Sequence, residues 1–102
     1  MSKLEDDMEL MSRTIADHYG YPTQSNQLIE ECAELIQAVS KYRRADSPAT
    51  RMSAMENLTE EIADVEIMLA QIKYLLRIKD TELKGTKAFK LSRAIERFKE
   101  DD

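Results

Sequence analysis

The chain is poor in the residues that form disulfide bonds and turns, and it lacks a long apolar run. Its 102 residues include one cysteine, two glycines, two prolines and no tryptophan. A single cysteine excludes an internal disulfide and fits a reducing compartment, so we expect a cytoplasmic protein. No apolar run approaches the length of a membrane span, and the acidic start MSKLEDDMEL is unlike a signal peptide.

Basic charge is scarce relative to acidic charge. Fifteen lysines and arginines stand against twenty aspartates and glutamates, which gives a formal net charge of −5. Proteins that bind nucleic-acid polymers usually carry a basic surface, so this balance argues against such a partner. The length suits one domain with a modest core, and we expect residues 1–102 to form a single domain with no membrane partner.

Helical periodicity runs through most of the chain. It predicts four helices, at about residues 4–19, 25–44, 50–78 and from 80 or 81 onwards. The connections are short, so the predicted fold is all-α, an antiparallel four-helix bundle-like unit. Apolar residues such as Ile29, Ile36 and Ile67 lie outside the main apolar stripes. We therefore expect assembly into a homo-oligomer, either a homodimer or a homotetramer.

One acidic turn is written twice. The stretch LIEECAEL begins at residue 28, and LTEEIADV begins at residue 58. With 100° per residue, Glu31 and Glu34 fall about 60° and 120° to one side of an apolar stripe centred on the leading leucine. Glu61 and Asp64 take the same angles on the next helix. Each of these helices therefore carries two carboxylates along one border of its apolar stripe.

The predicted hairpin also places the two turns at the same height. If the connection lies near residues 46–49, facing residues have numbers that add to about 95. Glu31 then faces Asp64, and Glu34 faces Glu61. Four carboxylates this close repel one another unless a cation neutralises them. A ligand set made only of oxygen favours Mg²⁺, with Mn²⁺ as the second choice, over zinc.

The stretches EECAE and EEIAD together resemble the EExxE…ExxD signature of the MazG-like, all-α nucleotide pyrophosphohydrolases. The resemblance covers roughly residues 24–97. It implies Mg²⁺-dependent hydrolysis of a ribo- or deoxyribonucleoside triphosphate between the α and β phosphates, giving a monophosphate and pyrophosphate. It also implies that Glu31, Glu34, Glu61 and Asp64 are the catalytic and metal-binding residues.

Polar side chains near the acids and on the last helix are candidates for substrate binding: Lys87, Lys90, Arg93, Lys41, Gln27 and Asn57. The family commonly places a lysine and an arginine in the last helix for phosphate contacts, which is why the three cations there are included. Lys41 lies on the same side of its helix as Glu34. The two carboxamides fall between the acids of their own helices, where they could orient water or cap the carboxylates.

The residues leave two other interpretations open. Phosphoribosyl-ATP pyrophosphatase-like hydrolysis also breaks an α–β phosphate bond, so the motif does not separate it from triphosphate hydrolysis. The other alternative is a non-catalytic helical interaction module. In that case the repeated turn is a packing pattern, and the glutamates are solvated or paired with lysines.

Overall fold

The computed structural model describes residues 2–101, and every regular element among them is a helix. The elements are α1 (Lys3–Arg44), α2 (Pro48–Leu76) and α3 (Asp80–Asp101). The all-α prediction is confirmed. The boundary predicted between the first two helices is confirmed at Gly20, where the backbone is non-helical, and the two helices that meet there in a kink are numbered together as α1. None of the described helices is long and apolar enough to cross a membrane.

The bend in α1 lies at Gly20. Its backbone angles, φ 82° and ψ 169°, belong to a region that glycine alone occupies readily. Pro22 follows inside the helix. It is tolerated there because a proline in the first turn after a break would have had no helical partner for its missing N–H group. The predicted helix boundary is therefore a kink without a loop.

The ends of α2 are fixed by local hydrogen bonds and backbone geometry. Ser47 and Thr50 form a reciprocal capping box, and Pro48 occupies the first turn. At the other end Arg77 adopts a left-handed conformation (φ 59°, ψ 36°), and its N–H group bonds to carbonyls of the last turn. These signals place α2 about two residues earlier than the periodicity predicts at both ends.

The part of α1 after the kink and α2 form an antiparallel hairpin. Gln24 Nε2 donates a hydrogen bond of 2.6 Å to Gln71 Oε1, and both side chains are buried. The numbers of these two residues add to 95, so the predicted register is confirmed. Ala38, Val65 and Met68 are the buried apolar residues of the same interface.

The interface lies closer to the acidic side of each helix than predicted. The prediction centred the interface on Leu28 in α1 and on Leu58 in α2. Gln24, Glu31 and Ala38 follow one another at seven-residue spacing along the contact face of α1, whereas Ile29 and Ile36 are exposed. Small and polar side chains thus form the contact, and the more apolar border of the stripe faces outward. The acids consequently lie within the hairpin interface.

The segment of α1 before the kink packs beside the C-terminal half of α2. The Tyr74 hydroxyl donates a 2.8 Å hydrogen bond to Asp17 Oδ2, and the Arg13 guanidinium lies 5.3 Å from the centre of the Tyr74 ring. Ala16 is completely buried. Polar and cation–π contacts at Tyr74 therefore fix how the segment folds back.

Within the described residues, α1 and α2 pack against each other and α3 packs against neither. An ion pair of 3.4 Å joins Lys73 to Asp80 at the start of α3. Four large apolar side chains of α3 are exposed: Phe89, Leu91, Ile95 and Phe98. The radius of gyration is 17.2 Å, against about 13 Å for a compact chain of this length. One chain therefore does not complete the predicted four-helix bundle.

Candidate metal centre

The two acidic turns meet in the hairpin. Glu31, Glu34 and Glu61 each place a carboxylate oxygen within 4.8 Å of the others. Asp64 lies close enough to Glu31 to share a hydrogen bond, and Glu61 stands in the same relation to Glu34. These four residues are called the acid cluster below. Both predicted pairs are confirmed as neighbours, although their chemical roles remain predictions.

The acids raise one another's affinity for protons. Partial loss of hydration, followed by the charge of Glu34, raises the pKa of the Glu61 carboxyl. Partial loss of hydration and then the charge of Glu31 raise the pKa of Asp64. The ion pairs in the described part of the chain lie elsewhere, at Arg13–Glu9 and Lys73–Asp80. The cluster is therefore an uncompensated negative site.

Two carboxylate oxygens of the cluster are buried without a hydrogen-bond partner: Oε2 of Glu31 and Oε2 of Glu61. The other oxygen of Glu31 accepts a 2.8 Å hydrogen bond from Gln27 Nε2. Buried polar atoms are rarely left unpaired, because the lost hydration is not recovered. An oxygen-only donor set with orphaned oxygens fits a hard divalent cation such as Mg²⁺ or Mn²⁺.

A groove with both polar and apolar walls lies at the loop end of the same hairpin. It has a volume of about 540 Å³, and its lining includes Lys41, Arg44, Thr50 and Asn57. Two of the predicted substrate-binding residues, Lys41 and Asn57, are thus brought together from different helices. Arg44 was not predicted, although it follows Lys41 by three residues and so lies on the same helical face. This groove is called the loop-end groove below.

The remaining candidates are divided between two places. Gln27 is half-buried and bonded to the acid cluster through Glu31. Lys87, Lys90 and Arg93 are exposed on α3. Because α3 does not pack on the hairpin, these three cations are not brought to the acid cluster within one chain. Their role in substrate binding remains a prediction.

The fold and the site together define a class of protein, an all-helical chain with two acidic helical turns that converge on one carboxylate cluster. Residues 21–100 match the family model described as the MazG nucleotide pyrophosphohydrolase domain. The match covers most of the chain, which therefore belongs to this family, and the predicted resemblance is confirmed. Comparisons with characterised proteins and with solved structures give no match.

Proposed function

We propose that the protein is a Mg²⁺-dependent nucleoside triphosphate pyrophosphohydrolase that forms a monophosphate and pyrophosphate, with Mn²⁺ as an alternative metal. The observation that carries the proposal is the convergence of three carboxylates within 4.8 Å, two of them with orphaned buried oxygens. Membership of a nucleotide pyrophosphohydrolase family supplies the reaction class. The whole chain, residues 1–102, is proposed to act as one domain.

Glu31, Glu34, Glu61 and Asp64 would hold the metal. When bound, a divalent cation would neutralise phosphate charge and acidify the water nucleophile. In the proposed hydrolysis, the water oxygen bonds to one of the two phosphorus atoms, and the bridging oxygen leaves with the other phosphate. A carboxylate of the acid cluster accepts the proton from water. Gln27 holds Glu31 in place through their hydrogen bond.

The loop-end groove is proposed to receive the phosphates that extend beyond the acid cluster. Lys41 and Arg44 supply two positive charges there against the one negative charge of Asp46, and Asn57 supplies a hydrogen-bond donor. A polyphosphate that approaches a chain with a net charge of −5 needs such cations in addition to a metal. Lys87, Lys90 and Arg93 are proposed to add further phosphate contacts once α3 is brought to a cluster by assembly.

Assembly into a homodimer or homotetramer is part of the proposal. The chain exposes 8378 Å², whereas a compact monomer of 11.8 kDa exposes about 5900 Å². The excess, about 2500 Å², is larger than the roughly 800 Å² that each partner buries in a standard interface. Partner subunits that cover α3 and the outward border of α1 would complete the bundle.

The test is hydrolysis of a panel of ribo- and deoxyribonucleoside triphosphates and phosphoribosyl-ATP, with detection of pyrophosphate and of the second product. We expect activity that requires Mg²⁺ and is lost in Glu34→Gln. Glu30→Gln is the matched control, because Glu30 is an exposed neighbour outside the cluster and loses the same charge. Exclusive cleavage of phosphoribosyl-ATP would favour that alternative. No metal-dependent hydrolysis of any substrate would favour the helical interaction module.

A further inference from the structure

The acid cluster lies between two features that fix how far α1 and α2 are displaced along each other. One is the connection at residues 45–47. The other is the hydrogen bond between Gln24 and Gln71, residues 47 positions apart in the chain. Each glutamine lies seven residues from a member of the cluster, Glu31 or Asp64, which is two helical turns or about 10.5 Å.

The glutamine pair is unusual among the buried residues of the hairpin. Gln71 is 2% exposed and is the largest fully buried side chain of the described chain, and Gln24 is 5% exposed. The buried apolar residues of the same interface are smaller or more flexible: Ala38, Val65 and Met68. Such side chains pack acceptably in more than one register. Two buried amides satisfy each other only when they are directly opposed, so they penalise a shifted register.

The open end of the hairpin needs such a constraint because of the charges beside it. Four carboxylates at one level repel one another, and their repulsion favours separation or sliding of the two helices. The connection resists this movement at one end only. The glutamine pair resists it at the other end, on the far side of the acid cluster.

We propose that Gln24 and Gln71 are positioning residues that hold the two acidic turns in the register required for metal binding and hydrolysis. This inference rests on the proposed function for its link to catalysis. The glutamines touch neither the metal site nor the substrate in the proposal, and they act through the placement of Glu31 and Asp64. A buried polar pair that specifies register at no gain in stability is a known use of such pairs.

The test replaces both glutamines in Gln24→Leu/Gln71→Leu, which leaves no buried amide without a partner. We expect a folded protein that melts at or above the wild-type temperature. Its Mg²⁺ affinity should fall by about 10- to 100-fold, the range seen when groups that orient metal ligands are removed. The value of kcat should fall by a similar or larger factor with little change in KM. A stable variant with wild-type Mg²⁺ affinity and kcat would overturn the proposal.

Met68→Leu is the matched control. Met68 is buried in the same interface, between the acid cluster and the glutamine pair, but it has no polar partner to lose. It should change the melting temperature slightly and leave Mg²⁺ affinity unchanged. If the double leucine variant does not fold, Gln24→Met/Gln71→Met keeps unbranched side chains of similar length and is held to the same expectations.

A distance measurement separates this inference from the proposed function. Spin labels at the exposed positions 26 and 66, in a Cys32→Ser background and diluted with unlabelled protein, report the register of α1 on α2. We expect one narrow distance distribution in the parent protein and a broader or shifted one in the double leucine variant. An unchanged distribution would overturn the positioning role. A wild-type protein that binds no divalent metal would instead overturn the proposed function.

Discussion

Glu31 and Glu61 occupy equivalent places in the two acidic turns, and each keeps one buried oxygen without a partner. Their neighbours Glu34 and Asp64 are more exposed. Glu31 and Glu61 therefore keep less contact with solvent than Glu34 and Asp64, and under the proposed function they have more to gain from a cation.

At the scale of single residues, the first prediction concerns metal binding. Mg²⁺ or Mn²⁺ should raise the melting temperature, because an ion that binds only the folded state stabilises it by mass action. Glu34→Gln and Asp64→Asn should abolish that increase. Without metal, each variant should be as stable as the wild type or more so, since a like charge is removed. The measurement is a melting curve across a metal titration, with Glu30→Gln as the control.

The acid cluster is structural if Glu34→Gln unfolds and metal leaves the wild-type melting temperature unchanged.

The second prediction concerns pH. The pKa values of Glu61 and Asp64 are raised in the folded chain, so the folded state binds protons at these groups more tightly than the unfolded state. The stability that this contributes is complete below the ordinary carboxyl pKa and is lost as pH rises through the raised values. We expect the free energy of unfolding of the metal-free protein to fall across that interval, as measured by urea unfolding in chelator.

Two comparisons check the cause of this pH dependence. Glu61→Gln should flatten the fall, because the amide does not titrate, whereas Glu30→Gln should leave it unchanged. Saturating Mg²⁺ should suppress it, since the metal competes with protons for the same oxygens. If the free energy of unfolding rises with pH across this interval, or if both substitutions change its pH dependence equally, Glu61 is not the cause of the pH dependence.

At the scale of helices, Gly20 decides where α1 changes direction. Its φ of 82° and ψ of 169° are open to glycine and costly for any residue with a Cβ atom. Gly85 is the useful contrast, because it lies inside α3, where an added Cβ would meet nothing within 4 Å beyond its chain neighbours and the backbone of its own helix. Replacing Gly20 by a residue with a Cβ atom should therefore cost stability, whereas the same replacement at Gly85 should not.

We expect Gly20→Ala to lower the free energy of unfolding by about 1–3 kcal/mol, the cost of a strained backbone conformation. Gly85→Ala should be neutral or should stabilise by about 0.5–1 kcal/mol, because alanine is the better helix former. Denaturant unfolding of both variants measures the difference. Equal stability of the two variants would mean that α1 has no obligatory kink.

The elements that could be predicted from the sequence are those set by local signals. The break at Gly20, the start of α2 near Ser47 and the pairing of the acids follow from turn residues and helical spacing. The rotation of the interface toward the acids could not be predicted in this way. Both helices carry wide apolar stripes, and the periodicity does not say which border of a stripe is buried within the chain and which faces outward.

The glutamine pair was missed for a related reason. Gln24 and Gln71 are polar, and the helical pattern locates the core from apolar residues alone, so it does not mark either glutamine as buried. The one indication of their pairing in the sequence is that the residue numbers 24 and 71 add to 95, as the residue numbers of each acid pair do. Likewise, the periodicity of α3 predicts a helix correctly but does not tell whether its partner is in the same chain or in another.

At the scale of the whole molecule, the exposed surface argues that one chain is an incomplete unit. Four large apolar side chains of α3 and the outward residues Ile29 and Ile36 are each more than half exposed. The middle of α3, KGTKAFKLSR, carries basic residues and no acid, whereas the turns of the hairpin carry the acid cluster. Opposite charges and unpartnered apolar surface both favour α3 of one subunit lying on the hairpin of another.

We therefore expect light scattering at micromolar concentration to give at least a homodimer. If the protein is a monomer under these conditions and still hydrolyses nucleotide, both the proposed assembly and the shared site are wrong.

The last prediction tests whether a subunit donates its α3 to the acid cluster of its partner. Glu34→Gln inactivates one half of such a site, and Lys87→Ala/Lys90→Ala weakens the other half. In a mixed dimer of these two variants, one site combines both defects and the other has neither. An equimolar mixture that exchanges subunits should then recover about a quarter of wild-type sites, since half of the dimers are mixed. A mixture of Glu34→Gln with Glu61→Gln should recover nothing, because both substitutions lie in the cluster. If the first mixture also stays inactive while subunit exchange is shown by mass, α3 reaches the cluster of its own chain or does not contribute to the site.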